Sequence, residues 1–152
     1  MAITRQEAVE QILDELGTGI ERTALALACL GAAYEALTTA PADRLEEALY
    51  GPVQRAFGRG MRAHSRFSEQ NGRERRAFPQ PDAGVASQGP RAFVDRAVVA
   101  AANADRALSE LQDTSLLIEF GDSDLRAGVA EMRELLAPLP VSAREFLRTL
   151  GR

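Results

Sequence analysis

Arg55, Arg59, Arg62 and Arg66 follow one another at spacings of four, three and four residues. On a helix advancing about 100° per residue they fall within roughly 60° of arc, so a helix there carries one basic stripe. Arg73, Arg75 and Arg76 extend that charge beyond the stripe. Guanidinium groups present forked donors that match carboxylates and phosphates, which makes these seven residues candidates for binding an acidic protein, another anionic ligand or a phosphate backbone. The competing reading is a solvated face, or one paired with acids of the first helix of the same or a neighbouring chain.

Charge distribution weighs between these partners. Residues 1–50 carry a net −6, residues 51–76 a net +5 and the remainder −3, within a chain of net charge −4. The basic block is therefore local to an acidic protein, and no aromatic residue interleaves the arginines to stack on bases. An acidic protein partner is favoured over nucleic acid, and the glycine-rich apolar side of the stripe argues against a membrane surface.

His64 is the only histidine and lies on the opposite, apolar side, with Phe57 and Phe67. Such a residue is a packed core histidine or, with those phenylalanines, part of a ligand pocket titrating near neutral pH. One histidine cannot build the paired Glu-x-x-His sites of di-metal bundles, and one cysteine with one histidine does not make a zinc site. Cys29 sits in the uncharged stretch Thr23–Tyr34, where a small inert hydrophobe is expected. The Gly-Thr-Gly at 17–19 and Gly-Arg-Gly at 58–60 lack the strand-loop-helix setting of a phosphate loop. Tyr34 and Tyr50 take no role from their spacing. No metal and no cofactor are expected, and the balance is against an enzyme.

The elements that must carry these residues read as helices throughout. Thr4 and Glu7 form a capping box that starts a first helix at Arg5. Its apolar rows, Leu13, Ile20, Leu27, Tyr34 and Val9, Leu16, Leu30, Leu37, with Thr23 as the polar member, keep a seven-residue spacing suited to bundle packing. The same phase on both sides of Gly17–Gly19 predicts one long kinked helix over about 5–38. A second helix, about 42–70, places Leu45, Leu49, Val53, Phe57, Met61 and Phe67 inside, with a kink or split at Gly51-Pro52. Residues 72–89 have no period and read as a flexible loop. A third helix, about 90–118, follows Ser87 or Gly89 and buries Val94, Ala101, Leu108 and Ala97, Ala104, Leu111. Gly121 ends it and Asp122 caps a fourth, 123–137. Ser142 with Glu145, and Val141 stapled to Phe146, start a short last helix, 142–150, closed by Gly151.

These elements predict a single all-α domain over 1–152: a four-helix-bundle-like fold with a long kinked first helix and a short extra helix at the C-terminus. A helix as apolar as Thr23–Tyr34 must be covered on every side. Sharing it across a two-fold axis covers it, so Ala24, Ala28, Gly31 and Ala32 are the candidate self-association surface of a homodimer or higher oligomer. The N-terminal residues lead straight into an acidic amphipathic helix without a secretory pattern, and one cysteine fits a reducing compartment, so the expected location is cytoplasmic. The function these features favour is a non-catalytic interaction or scaffold protein working through self-association and the arginine face. The alternative is a ligand-binding or sensor bundle with a cavity near His64.

Overall fold

Thr4 and Glu7 close the first turn reciprocally: Glu7 N–H donates to Thr4 Oγ1 (3.1 Å) and Thr4 N–H to Glu7 Oε2 (3.0 Å). From this box α1 (Arg5–Glu35) runs unbroken through Gly17–Gly19. In the computed structural model, which describes residues 2–85 and 89–150, its apolar rows face inward, with Leu16, Ile20 and Ala26 fully buried. Thr23, the one polar member, is buried too and satisfied by donating to the Gly19 carbonyl at 2.8 Å.

The next helix starts earlier than expected. α2 (Thr39–Leu45) begins after an extended Thr38, because Pro41 fits a first turn where no backbone donor is needed. At Gly51-Pro52 the chain neither stops nor turns away. A π-helical turn, Glu46–Tyr50, joins α2 to α3 (Gly51–Gln70), and the Gly51 N–H reaches back to the Glu46 carbonyl. This wide turn stands directly ahead of Pro52, which lacks the donor that a regular turn would need. Beyond it, an i, i+4 row drifts about 40° per step around the helix. Phe57 and Met61 accordingly end half-buried at the rim, and the inner face of α3 is Val53, Ala56, Gly60, Ala63 and Phe67.

α4 (Gly89–Asp113) stops five residues short of the expected 118. Thr114 is extended and its hydroxyl takes the Leu111 carbonyl at 2.7 Å, the kind of local bond by which threonine competes with the helix ladder. The short α5 (Ser115–Phe120) follows and lies against α1. Asp122 then caps α6 (Ser123–Leu136), its Oδ1 accepting from Leu125 N–H at 2.8 Å. α7 (Leu139–Leu150) begins three residues before the expected 142. Pro140 lies in its first turn, and Ser142 N–H donates to the Pro138 carbonyl (3.1 Å), so Ser142 is inside the helix rather than its cap. Val141 is 51% exposed and makes no staple, while Leu139 and Phe146 are the buried pair. Ser87 and Gly151, expected as helix-end residues, lie outside the described residues.

α1, α3, α4 and α6 form the bundle. α1 packs chiefly on α4, α3 on α6, and the contacts α1–α3 and α4–α6 close the ring. α7 crosses one end against α4 and the π turn. Among the described residues there is no strand, and the fold is all-α. The α1–α4 seam is close because α4 offers Ala97, Ala101 and Ala104, all at most 2% exposed, and α1 offers Gly19, where an added Cβ would lie 2.7 Å from Leu108 Cδ2. Within Thr23–Tyr34, Leu25, Gly31, Ala32 and Tyr34 remain half-buried and the other residues are buried. Ala24 and Ala28 are each only 3% exposed, so half of the expected self-association seam is interior.

Candidate functional site

The seven candidate arginines separate into two groups once their partners are known. Arg59 is clasped by α6: its Nε donates to Glu131, its Nη2 lies 3.6 Å from Asp124 Oδ1, and its side chain is 15% exposed. Arg66 shares Asp124 at 3.6 Å. Arg73 binds Glu10 on α1 at 2.6 Å and the Gln6 carbonyl at 3.4 Å. Arg75 pairs with Glu69, and Arg76 with Glu21 on α1. Arg55 and Arg62 have no carboxylate partner among the described residues and stand exposed on α3. Intrachain pairing with acidic α1, weighed against partner binding from the sequence, therefore holds for Arg73 and Arg76. α6 takes Arg59 and Arg66.

Arg62 borders an open groove on α3, lined also by Gly58, Met61, Ser65, Arg66, Glu69 and Arg75. Three cations and one acid line it, and the acid is already engaged by Arg75. The groove's other end is shaped by a missing side chain. Three helix-interior glycines, Gly19, Gly60 and Gly128, are held by packing, since a Cβ at any of them would stand within 3.0 Å of a core neighbour, whereas at Gly17 the near atom is the movable tip of Arg76. At Gly58 the nearest atom would be Arg62 Nη1 at 3.5 Å, and at Gly31 it would be Tyr50 Cε2 at 3.9 Å, both ordinary contacts. A glycine inside a helix costs about 1 kcal/mol relative to alanine. At these two positions core packing does not account for it, and both line surface grooves.

His64 occupies no such groove. It is 3% exposed, its Nε2 lies 3.2 Å from the Leu13 carbonyl, and the Phe78 ring stands edge-on at 5.0 Å. A carbonyl only accepts, so Nε2 carries the hydrogen. Ser68 Oγ spends its proton on the His64 carbonyl at 2.8 Å and sits 3.5 Å from Nδ1. Of its companions, Phe67 is buried core at 3% exposure and Phe57 lies half-buried at the rim. The three line no shared cavity among the grooves described here.

Burial lowers the His64 pKa below its ordinary 6.5, against the opposing pull of the Leu13 hydrogen bond and Asp14. The unfolded chain thus takes up this proton more readily than the folded one. The stabilisation from keeping His64 neutral is complete above the unfolded pKa and is lost as the pH falls through about 6.5 toward the folded value. Urea midpoints should accordingly drop more between about pH 7 and pH 5 for the wild type than for His64→Gln. Parallel curves for the two proteins would remove His64 from the acid response.

Phe78 belongs to residues 73–85, which form neither helix nor strand and strap across the bundle. Arg76 lies over both Gly17 and the Phe78 ring. Farther along, the Ala83 carbonyl accepts from Arg96 Nη1 (3.0 Å) and faces the Cys29 thiol at 3.9 Å. Burial pushes the Cys29 thiol up, with Arg96 pulling the other way, so it sits as a protonated core residue.

Sequence reasoning missed three features. Arg133 clamps α6 to α4 through Asp105 (2.9 Å) and Gln112 (2.7 Å), a contact between segments that no periodicity links. Arg96 as the strap's anchor was equally hidden. Tyr34 and Tyr50, unassigned from spacing, meet Gly31, Glu35 and Glu46 in a notch of about 270 Å³ beside the π turn. Among the described residues no group of three or more histidine, cysteine or carboxylate side chains could hold a metal ion, and no helix is long and apolar enough to cross a membrane. Set against family models, curated proteins and solved structures, the chain matches none.

Proposed function

We propose that this protein is a non-catalytic helical interaction module that receives an acidic protein segment along the outer face of α3. The observation that carries this reading is the α3 groove bordered by Arg62, a cation without a carboxylate partner among the described residues. Arg55 continues the face two turns toward the N-terminus of α3. Arg66 and Arg75 line the groove as well, and their present acids are half-exposed, so a partner carboxylate competes with them at little expense. Gly58 leaves room for a segment to lie against the helix.

A short carboxylate-bearing segment fits better than nucleic acid, because a long polyanion would also meet the negative field of a chain with net charge −4. The single cysteine and single histidine are committed elsewhere: Cys29 is buried and His64 serves the core. The reading does not depend on self-association.

Fluorescence anisotropy of a labelled oligoglutamate peptide tests the proposal. Binding should weaken with added salt, and Arg62→Glu should weaken it by about tenfold or more while leaving the thermal midpoint in place. Equal binding by wild type and Arg62→Glu would overturn it.

A further inference from the structure

We infer that the notch between α1 and the π turn is a binding site for a weakly hydrated organic cation, a guanidinium or quaternary ammonium group. Its lining is Gly31, Tyr34, Glu35, Glu46 and Tyr50, around about 270 Å³. That volume suits a single head group. Two aromatic rings and two carboxylates are the chemistry that receives a cation shedding its water, because ring quadrupoles replace lost hydration and carboxylates supply the counter-charge. Two glutamates are too few oxygen ligands for a hard metal ion. Neither glutamate forms an ion pair among the described residues, and Arg55 does not line the notch.

Gly31 is an independent observation pointing the same way. An added Cβ there would meet only Tyr50 Cε2, at an ordinary 3.9 Å, so packing does not require the glycine and any larger side chain would narrow this notch. The π turn completes the site by carrying Glu46 at its first position and Tyr50 at its last. The surrounding residues 1–50 hold nine acids against three arginines, a field that draws cations in.

The test is direct, because the chain has two tyrosines, both in the notch, and no tryptophan. Tyrosine emission should change saturably with tetramethylammonium or methylguanidinium, and not with sodium chloride at matched ionic strength. Glu46→Gln should weaken the response by about tenfold, and Gly31→Leu, which fills the notch, should abolish it. The thermal midpoint of each variant separates a lost site from a lost fold. Sedimentation distinguishes two sources of the group. A monomer that binds the probes takes a free cation or another protein's arginine, whereas an assembly dispersed by tetramethylammonium takes an arginine from a second copy of this chain. A linear, unsaturating response in the wild type, or one unchanged in Glu46→Gln, would overturn the inference.

Discussion

Replacing Leu108 by alanine should destabilise the protein by about 2–5 kcal/mol, near the limit a domain of this size tolerates. Leu108 is fully buried on α4, and its Cδ2 occupies the space that Gly19 leaves on α1. Ala101 and Ala104, the preceding buried positions of α4, are too small to fill the hole. The glycine is the other half of the same contact. Gly19→Ala puts a methyl group 2.7 Å from Cδ2 and 3.0 Å from Cγ of Leu108, which must shift. Its overpacking strain, about 1–3 kcal/mol, is partly offset by the better helix propensity of alanine.

The two changes should compensate each other. In the double variant the new methyl group enters the space the leucine vacated, and the combined loss should fall short of the sum by about 1 kcal/mol or more. Urea unfolding of the four proteins of this cycle measures the coupling. Strict additivity would mean that the helices move apart at this seam rather than hold their spacing, contrary to a packed contact between Gly19 and Leu108.

The same contact shows why sequence reading stops where it does. The rows Val94, Ala101, Leu108 and Ala97, Ala104, Leu111 are legible because helical period sorts buried from exposed positions, and all six are buried. Caps at Thr4 and Asp122 are legible because their chemistry is local. Period does not say what a glycine is for. Gly19 and Gly60 are close-approach sites, whereas Gly31 and Gly58 leave surface space, and only the neighbours of the absent Cβ separate these cases. Helix ends set by proline were misplaced at Thr39 and Leu139, because proline suits a first turn as well as it breaks an interior one. For the arginines, spacing identified the stripe on α3. The carboxylates that occupy Arg59 and Arg66 come from α6, more than fifty residues on, and no local pattern announces them. Of the expected self-association surface, Ala24 and Ala28 are buried within the chain while Gly31 and Ala32 stay half-buried, a division that the apolar pattern of α1 does not announce.

Arg59→Glu and Arg62→Glu should therefore behave as opposites, although they are one helical turn apart on the same stripe. Arg59 is mostly covered, with Asp124 and Glu131 of α6 around it, and Gly128 beneath it, where a Cβ would lie 3.1 Å from Arg59 Nη1. Reversing its charge replaces two attractions by two repulsions in a partly desolvated contact that α3 and α6 depend on. Because the acids are 37% and 51% exposed, solvent screens part of this, and a loss of about 2 kcal/mol is the expected scale rather than that of a buried ion pair. For a bundle this size such a loss lowers the thermal midpoint by several degrees. Arg62 has no carboxylate partner to lose among the described residues and faces solvent, so its reversal should stay within about 0.5 kcal/mol of wild type. Acidic-peptide binding should reverse the ranking, falling sharply for Arg62→Glu. If Arg62→Glu lowered the melting temperature as much as Arg59→Glu, the division of the stripe into a structural clasp and an open binding edge would be lost. If it proved silent in both assays, the outer edge of the stripe at Arg62 would be a solvated face and nothing more.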